Sequence, residues 1–502
     1  MGVKSATSDS TSLTKRPWVE SRTLHFRTCS CAPTQDVAKL AARLEQFQEA
    51  YSTLAGAQAV ASPPIIVMAF PDHEALQPFL PLYNGQPANL AAFFVRGSDE
   101  NLIVLSLSQE DDSEGLESVF HEYTHLLLRH NSRFWPLWLN EGMAEIYSTF
   151  HVVGDHSARI GEPLPHHLEL LHNTTLMPLP KLFAVTHSSP EYNEREHQGV
   201  FYAQSWLLTH YLMSGANPAL KARFGQLTIL LRQGQTPEQA FTNAFQTSVT
   251  AMSAQLKQYL EAGKFYPLTL SVSANLKAAR YMATRPLTPV EVLFRLGDEL
   301  FRINRLETAE SYFVQARKLA PASPLPYEGL GLLASDRRQS ETAVQQLHEA
   351  LQRNSSSYLA HYIYATEKYQ LTAHSENHFS RVDAPLAAEI RSELKKSLAL
   401  MPDFGPAHHL LGFFEMVQHE DLADAEQHLQ KAIQLEPENQ GYLFSLAEVQ
   451  LTKKDAAAAR RTLESLRLPY IDARLRADAE QMLKEMDRHS ASEGGPTQAK
   501  DE

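Results

Sequence analysis

The chain has 502 residues, too many for one hydrophobic core, so at least two domains are expected. Its 43% hydrophobic and 21% charged residues are ordinary for a globular protein, and no long apolar run supplies a membrane span. The formal charge of −13 excludes a general nucleic-acid binder, which needs a concentrated basic surface.

The N-terminal stretch MGVKSATSDSTSLTKR is polar and lacks the apolar core of a secretory signal. Ala6 stands where a myristoylation motif wants Ser or Thr. Residues 1–17 are therefore expected to be disordered, and the chain as it stands to be cytoplasmic. Cys29 and Cys31 are too close in sequence to bridge each other and are expected as free thiols.

Trp18 to Thr28 reads as one strand, with Leu24 and Phe26 alternating on its inner side. Val37, Leu40, Leu44, Phe47 and Tyr51 have helical spacing over 35–54. After Pro63 and Pro64, IIVMAF reads as a buried strand, and NLAAFFV and NLIVLSL around RGSDE read as a hairpin. A helix is expected from about Ser113 to His130, with Asp111, Asp112 and Ser113 as caps. Pro136 then opens a second helix through WLNEGMAEIYSTF. A helix over about Gly199 to Met213 and further amphipathic helices complete an α+β domain spanning 18–265, and 266–287 reads as a linker.

The first of the two central helices carries His121-Glu122-Tyr123-Thr124-His125, an H-E-x-x-H motif. Residues four apart share a helix face, so His121 and His125 can offer two imidazole nitrogens to one ion. Glu122, rotated by about 100°, can approach a water at that ion without ligating it. The apolar VF and LLL that flank the motif put these histidines on a buried helix, where a pair of them needs a reason. Glu141, on the second helix, is placed to be a third ligand. Glu145, one turn on, can accept a hydrogen bond from a ligand histidine and fix its tautomer. His156, His166 and His167 show no ligand pattern and are expected at the surface.

H-E-x-x-H followed by W-L-N-E-G-x-A-E resembles the gluzincin metallopeptidases, the superfamily of thermolysin and the zinc aminopeptidases. The short gap between the motifs looks most like peptidase-MA-like members. The resemblance implies a zincin-like fold and one Zn²⁺ held by His121, His125 and Glu141, with Glu122 as general base. The G-A-M-E-N signature of the aminopeptidases is absent, which points to endopeptidase activity on a peptide or protein substrate. The resemblance further implies an edge strand that binds substrate backbone, for which Asn89 to Val95 is the candidate, with Ala91, Ala92 and Phe93 at its centre. An ordinary core strand is the rival reading. It also implies a Tyr or His donor to the oxyanion: Tyr202 is the choice, with His210 and Tyr211 behind it, against Tyr202 as a plain core aromatic.

The last third has a different grammar. Leu296-Gly297, Ala309, Phe313 and Ala316 recur 34 residues later as Leu330-Gly331, Ala343, Leu347 and Ala350. They recur again as Leu411-Gly412, Ala425, Leu429 and Ala432, and more weakly from Leu446. This period resembles the tetratricopeptide repeat, implying an all-α solenoid over 288–487 with a capping helix from about Asp472 to Met486. Between copies, TAHSENHFSRVD lengthens one inter-helix connection, and His408 and His409 fall on a repeat helix as packing or groove residues. Residues 488–502 read as a disordered tail. The whole is thus expected to be a zinc metallopeptidase whose repeats recruit a protein partner. The alternative is an interaction scaffold whose zinc site is structural or inert.

Overall fold

The computed structural model describes residues 13–55, 65–83, 85–97, 99–107, 112–132, 135–154, 156–193, 195–213, 218–272, 283–372, 380–437, 439–467 and 471–493. Two compact units divide the chain, Met1–Arg305 and Leu306–Glu502.

In the first unit, the single strand expected over Trp18–Thr28 is instead two. β1 (Val19–Arg22) and β2 (Phe26–Ser30) pair antiparallel. The chain reverses between them, with Thr23 N–H donating to Phe26 O at 3.0 Å, and this turn throws Leu24 outward to 82% exposure. Alternation alone could not show that reversal, because the turn carries neither Gly nor Pro. The disorder expected over 1–17 does not extend to Leu13. That residue is buried and accepts a 3.0 Å hydrogen bond from Trp18 Nε1, which anchors the start of β1; residues 1–12 lie outside the described part.

Helix α1 (Thr34–Ala55) follows, then β3 (Ile65–Phe70), buried at all six positions as befits a strand paired on both sides. β4 (Ala92–Val95) and β5 (Asn101–Ser106) form the expected hairpin. Next come the two motif helices, α2 (Asp112–Ser132) and α3 (Leu137–Ser148). The expected caps Asp111, Asp112 and Ser113 have side chains outside the described part. Beyond them lie β6 (His151–Val153), β7 (Ser157–Ile160), helix α4 (Pro165–Asn173) and helix α5 (Arg195–Met213). Three further helices span Pro218–Arg232, Pro237–Phe245 and Val249–Ala262.

Residues 266–287, read as a linker, instead supply two strands. β8 (Leu268–Ser271) pairs with β7, and β9 (Ala283–Pro286) pairs with β1. The main sheet therefore runs β9-β1-β2-β3-β5-β4, parallel across β2-β3-β5 and antiparallel elsewhere. Helix α6 (Pro289–Arg302), the first repeat-like helix, belongs to this unit rather than to the solenoid. Arg302 reaches both carboxylate oxygens of Asp99 at 2.6 and 3.0 Å, tying α6 to the β4–β5 turn.

Aromatic packing sets the motif helix in place. Phe47 of α1 stacks on Phe120 of α2 with centroids 4.4 Å apart and planes 3° from parallel. Tyr123 Oη donates to Gln48 Oε1 at 2.6 Å, and Tyr51 Oη to Leu127 O at 3.0 Å. With Phe120 and Tyr123 committed to α1, the opposite face of α2 turns toward α3. Close approach at Gly142 locks α3 against α5: a Cβ there would lie 2.1 Å from Thr209 Oγ1 and 2.5 Å from the backbone oxygen of Ser205.

The second unit is helical throughout its described residues. α7 (Leu306–Leu319) precedes the pairs α8 (Leu325–Asp336) and α9 (Ser340–Gln352), then α10 (Tyr358–Thr372) and α11 (Ala384–Leu400). Two more pairs follow: α12 (Gly405–Gln418) with α13 (Leu422–Leu435), and α14 (Gly441–Thr452) with α15 (Ala456–Ser465). Ala343, Leu347, Ala425 and Leu429 are fully buried, as their recurrence implies. The lengthened connection after Thr372 lies mostly outside the described residues, but Asp383 at its end caps α11 by accepting from Leu386 N at 2.9 Å. α16 (Ala473–Glu493) runs past the expected tail boundary at 488; its Leu483 packs with Leu463 and Leu466.

Gly142→Ala should destabilise the first unit by about 1–3 kcal/mol, because the neighbour that must yield includes backbone. Urea unfolding followed by tryptophan fluorescence would read this, and an unchanged midpoint would show that α3 and α5 have slack.

Candidate metal centre

The packing just described brings three side chains to one point between α2 and α3. His121 Nε2 and His125 Nε2 lie 3.2 Å apart. Glu141 Oε2 lies 3.4 Å from the first and 3.2 Å from the second. These distances make a nearly equilateral triangle of potential donor atoms. A tetrahedral site with bonds of about 2.0–2.2 Å needs neighbouring donors roughly 3.3–3.5 Å apart, so the triangle has the dimensions of one face of such a site.

Both outer ring nitrogens are engaged. His125 Nδ1 is 3.3 Å from Asn140 Oδ1, and His121 Nδ1 is 3.4 Å from Glu145 Oε1. Asn140 Oδ1 and a carboxylate are acceptors, so each Nδ1 donates outward, and each Nε2 faces Glu141 as the nitrogen that can donate to that carboxylate or, once deprotonated, hold a cation. Glu145 is itself held by His167, whose Nε2 is 3.1 Å from Glu145 Oε2. The site is thus two layers deep: three inward atoms, and behind them Asn140, Glu145 and His167.

Glu141 is 4% exposed at its side chain, and its Oε2 faces both imidazoles at ion-pair distance without a hydrogen-bond partner among the described residues. Burial pushes its carboxyl up, but the two histidines outweigh burial and hold it down at about 2. Burial likewise pulls the His121 imidazole down, and Glu141 and Glu145 more than reverse it, leaving it raised. The cluster calls for positive charge at its centre, and His121, His125 and Glu141 could hold a divalent cation.

Glu122 is exposed beside this face rather than part of the triangle. Tyr202 stands near the cluster, its ring centroid 6.1 Å from that of His121. Tyr192, which sequence reasoning missed, reaches further in. Its Oη is 3.5 Å from Glu141 Oε1, its ring stacks on Tyr202, and the two phenols hydrogen-bond. Burial first, then the nearby Glu141 and Glu122, raise its pKa and keep it a proton donor. Its short helix, Pro190–Asn193, has no periodicity that could have flagged it.

His210 and Tyr211 lie away from the cluster. His210 bonds Gly161 O at 2.9 Å and Tyr259 Oη at 2.7 Å, and Tyr211 Oη donates to Gln255. His167, expected at the surface, is 5% exposed and supports Glu145; in sequence it stands 22 positions from that partner, on α4, with no motif to join them. His156 and His166 are exposed as expected. The candidate substrate strand is β4, the terminal strand of the sheet. Ala91 is exposed, while Ala92 and Phe93 are buried, so the strand offers backbone more than side chains. Gly115 of α2 lies against Ala91 and Ala92, placing this edge beside the motif helix.

Comparison with known proteins bears on the other unit. Residues 416–479 match the tetratricopeptide repeat family, so the C-terminal region carries tetratricopeptide repeats; the match lies wholly outside α2 and α3. No curated protein matches the chain. Among solved structures, the chain is similar to YrrB, described as a tetratricopeptide-repeat protein with an unusual peptide-binding site. Identity is 15%, coverage 38% of this chain and 90% of that one, and the TM-score 0.31. A thermophilic tetratricopeptide-repeat protein of Thermus thermophilus is 20% identical over 39% and 98% of the two chains, with a TM-score of 0.30. PilF from Pseudomonas aeruginosa is 15% identical over 40% and 87%, with a TM-score of 0.31. No helix among the described residues is long and apolar enough to cross a membrane.

His210, which stands away from the cluster, makes a stability prediction. Burial lowers its pKa to about 4 in the fold, against about 6.5 when unfolded. Between those values the unfolded chain binds the extra proton, so stability is full above pH 6.5 and is lost as pH falls. Acidification from pH 7 to 5 should remove roughly 2 kcal/mol from the first unit through this residue. In His210→Gln the gap between urea midpoints at the two pH values should narrow accordingly; an unchanged gap would assign the loss to other groups.

Proposed function

We propose that the first unit is a zinc-dependent peptidase of gluzincin type, acting as an endopeptidase, and that the repeats recruit the protein or peptide it cuts. The observation that carries the hydrolytic half is the donor triangle of His121, His125 and Glu141, closed to 3.2–3.4 Å on every side. Its residue types fit zinc, two imidazoles and one carboxylate, with both histidines oriented from behind by Asn140 and Glu145. A zinc ion bound there would polarise a carbonyl and make a nearby water acidic enough to ionise near neutral pH.

The chain's own residues do the rest. The Glu122 carboxylate, exposed one position along the helix from His121, takes the proton of the attacking water and delivers it to the leaving amine. The phenols of Tyr192 and Tyr202, linked to each other beside the cluster, are the candidate donors to the oxyanion that forms at the scissile carbonyl. The outer side of β4 receives an extended peptide by backbone pairing at Ala91, Ala92 and Phe93, which suits a site cutting within chains.

The interaction role has the broader support, because it rests on both the 34-residue period and the family match over 416–479. Tetratricopeptide repeats bind protein or peptide partners along a stacked surface. That support equally favours the second reading, a scaffold whose zinc site is structural or inert. The readings part at Glu122: a structural zinc has no use for an exposed carboxylate beside it.

Glu122→Gln should therefore keep one zinc per cluster while losing peptide cleavage by at least the ~10²–10⁴-fold that a general base contributes. Elemental analysis beside mass spectrometry of a digested peptide library would measure both, and undiminished cleavage in the variant would overturn the mechanism. Asn140→Ala and Glu145→Ala should each weaken zinc affinity by about 10–100-fold without removing a ligand. Competition with a chromogenic chelator reads this directly, and wild-type affinity in both would mean the histidines need no orienting.

A further inference from the structure

The repeat unit contains a second cluster of ligand-type side chains, built across α12 and α13. Ligand atoms of Glu415, Asp424 and His428 all lie within 4.8 Å of one another. Glu415 is 3% exposed, yet its Oε2 has no hydrogen-bond partner among the described residues. A carboxylate buried without a partner is expensive to ionise unless a cation meets it. The cluster calls for positive charge that its own members do not supply. Lys395 and Arg391 act on Glu415 from a distance, and Arg391 is already bonded to Glu420.

The histidine of the cluster is oriented as a ligand would be. His408 Nε2 lies 2.9 Å from Pro402 O, an acceptor, so that nitrogen carries the proton and His408 Nδ1 is a lone pair. His428 Nδ1 lies 2.8 Å from His408 Nδ1 and must therefore be the donor. Its Nε2 is left unprotonated, 3.8 Å from Asp424 Oδ2. A chain of two hydrogen bonds, starting from a backbone carbonyl, thus turns a lone pair toward two carboxylates. It is the same logic by which Asn140 and Glu145 turn His125 and His121.

We infer that Glu415, Asp424 and His428 form a second divalent-cation site, linking the two helices of one repeat. The Asp424 side chain is 42% exposed, so the cluster is open to solvent on that side. One imidazole with two carboxylates suits a first-row transition ion such as Zn²⁺. Gly412 lets α12 and α13 approach closely enough to share the ion: a Cβ there would lie 2.6 Å from Ala425 O.

The test uses the full chain carrying His121→Ala and His125→Ala, so that the first cluster is silent. Equilibrium dialysis against Zn²⁺ should find one zinc per chain. Adding His428→Ala, or separately Asp424→Asn, should weaken that binding at least tenfold. Asp424→Asn keeps the proposal testable should other variants misfold, because its side chain is partly exposed and its shape is unchanged. Zn²⁺ should also raise the thermal midpoint of the background chain and not that of the Asp424→Asn chain. A background chain that takes up no zinc, or one whose zinc is indifferent to both substitutions, overturns the inference. Neither result touches the centre between α2 and α3.

Discussion

Three potential donor atoms converge between α2 and α3, and the packing of those helices brings them together. Two imidazole Nε2 atoms and one carboxylate oxygen, largely buried and within 3.4 Å of one another, repel unless a proton or a cation sits among them. Proteins do not gather such groups by accident, since each costs free energy to bury and more to bury beside the others. The unit meets that cost with heavy reinforcement. Phe47 and Gln48 grip one side of α2, Gly142 lets α5 press α3 from behind, and Asn140, Glu145 and His167 pin the rings. The donor triangle is carried by helices, not by loops.

The two units make different physical demands on their residues. In the first, polar side chains are brought together in layers around the donor triangle, with Asn140 and Glu145 behind the imidazoles and His167 behind Glu145. In the second, the recurring positions are small or aliphatic, and the fold repeats because Ala and Leu recur where helices touch. The α12–α13 cluster departs from that pattern. His408 and His428, both half-buried, form a hydrogen-bond chain that starts at the Pro402 carbonyl and crosses from α12 to α13.

How much of this was legible beforehand varies with the reach of the signal. His121, His125, Glu141 and Glu145 could be read because helical spacing is a local property, and two short motifs carry all four. The 34-residue period is likewise a property of the string. His167 and Tyr192 could not be read, since each meets the cluster only through tertiary packing of a helix with no motif of its own. The first strand failed for a related reason. Alternation persists through Leu24 and Phe26, but pairing with a partner far along the chain bends the segment into two strands. Residues 266–287 looked like a linker because strand partners, not composition, decide whether an edge segment is ordered.

That pairing has a bearing on how the protein is made. Val19 lies opposite Pro286, so the sheet's first strand is completed by one of the last segments of the unit to leave the ribosome. Until then β1 presents an unpaired backbone edge while hundreds of residues are still being added at roughly 5–20 per second. The nascent chain must wait tens of seconds with that edge open, so this unit, unlike the locally wired repeats that follow it, completes its sheet only through a late, long-range pairing.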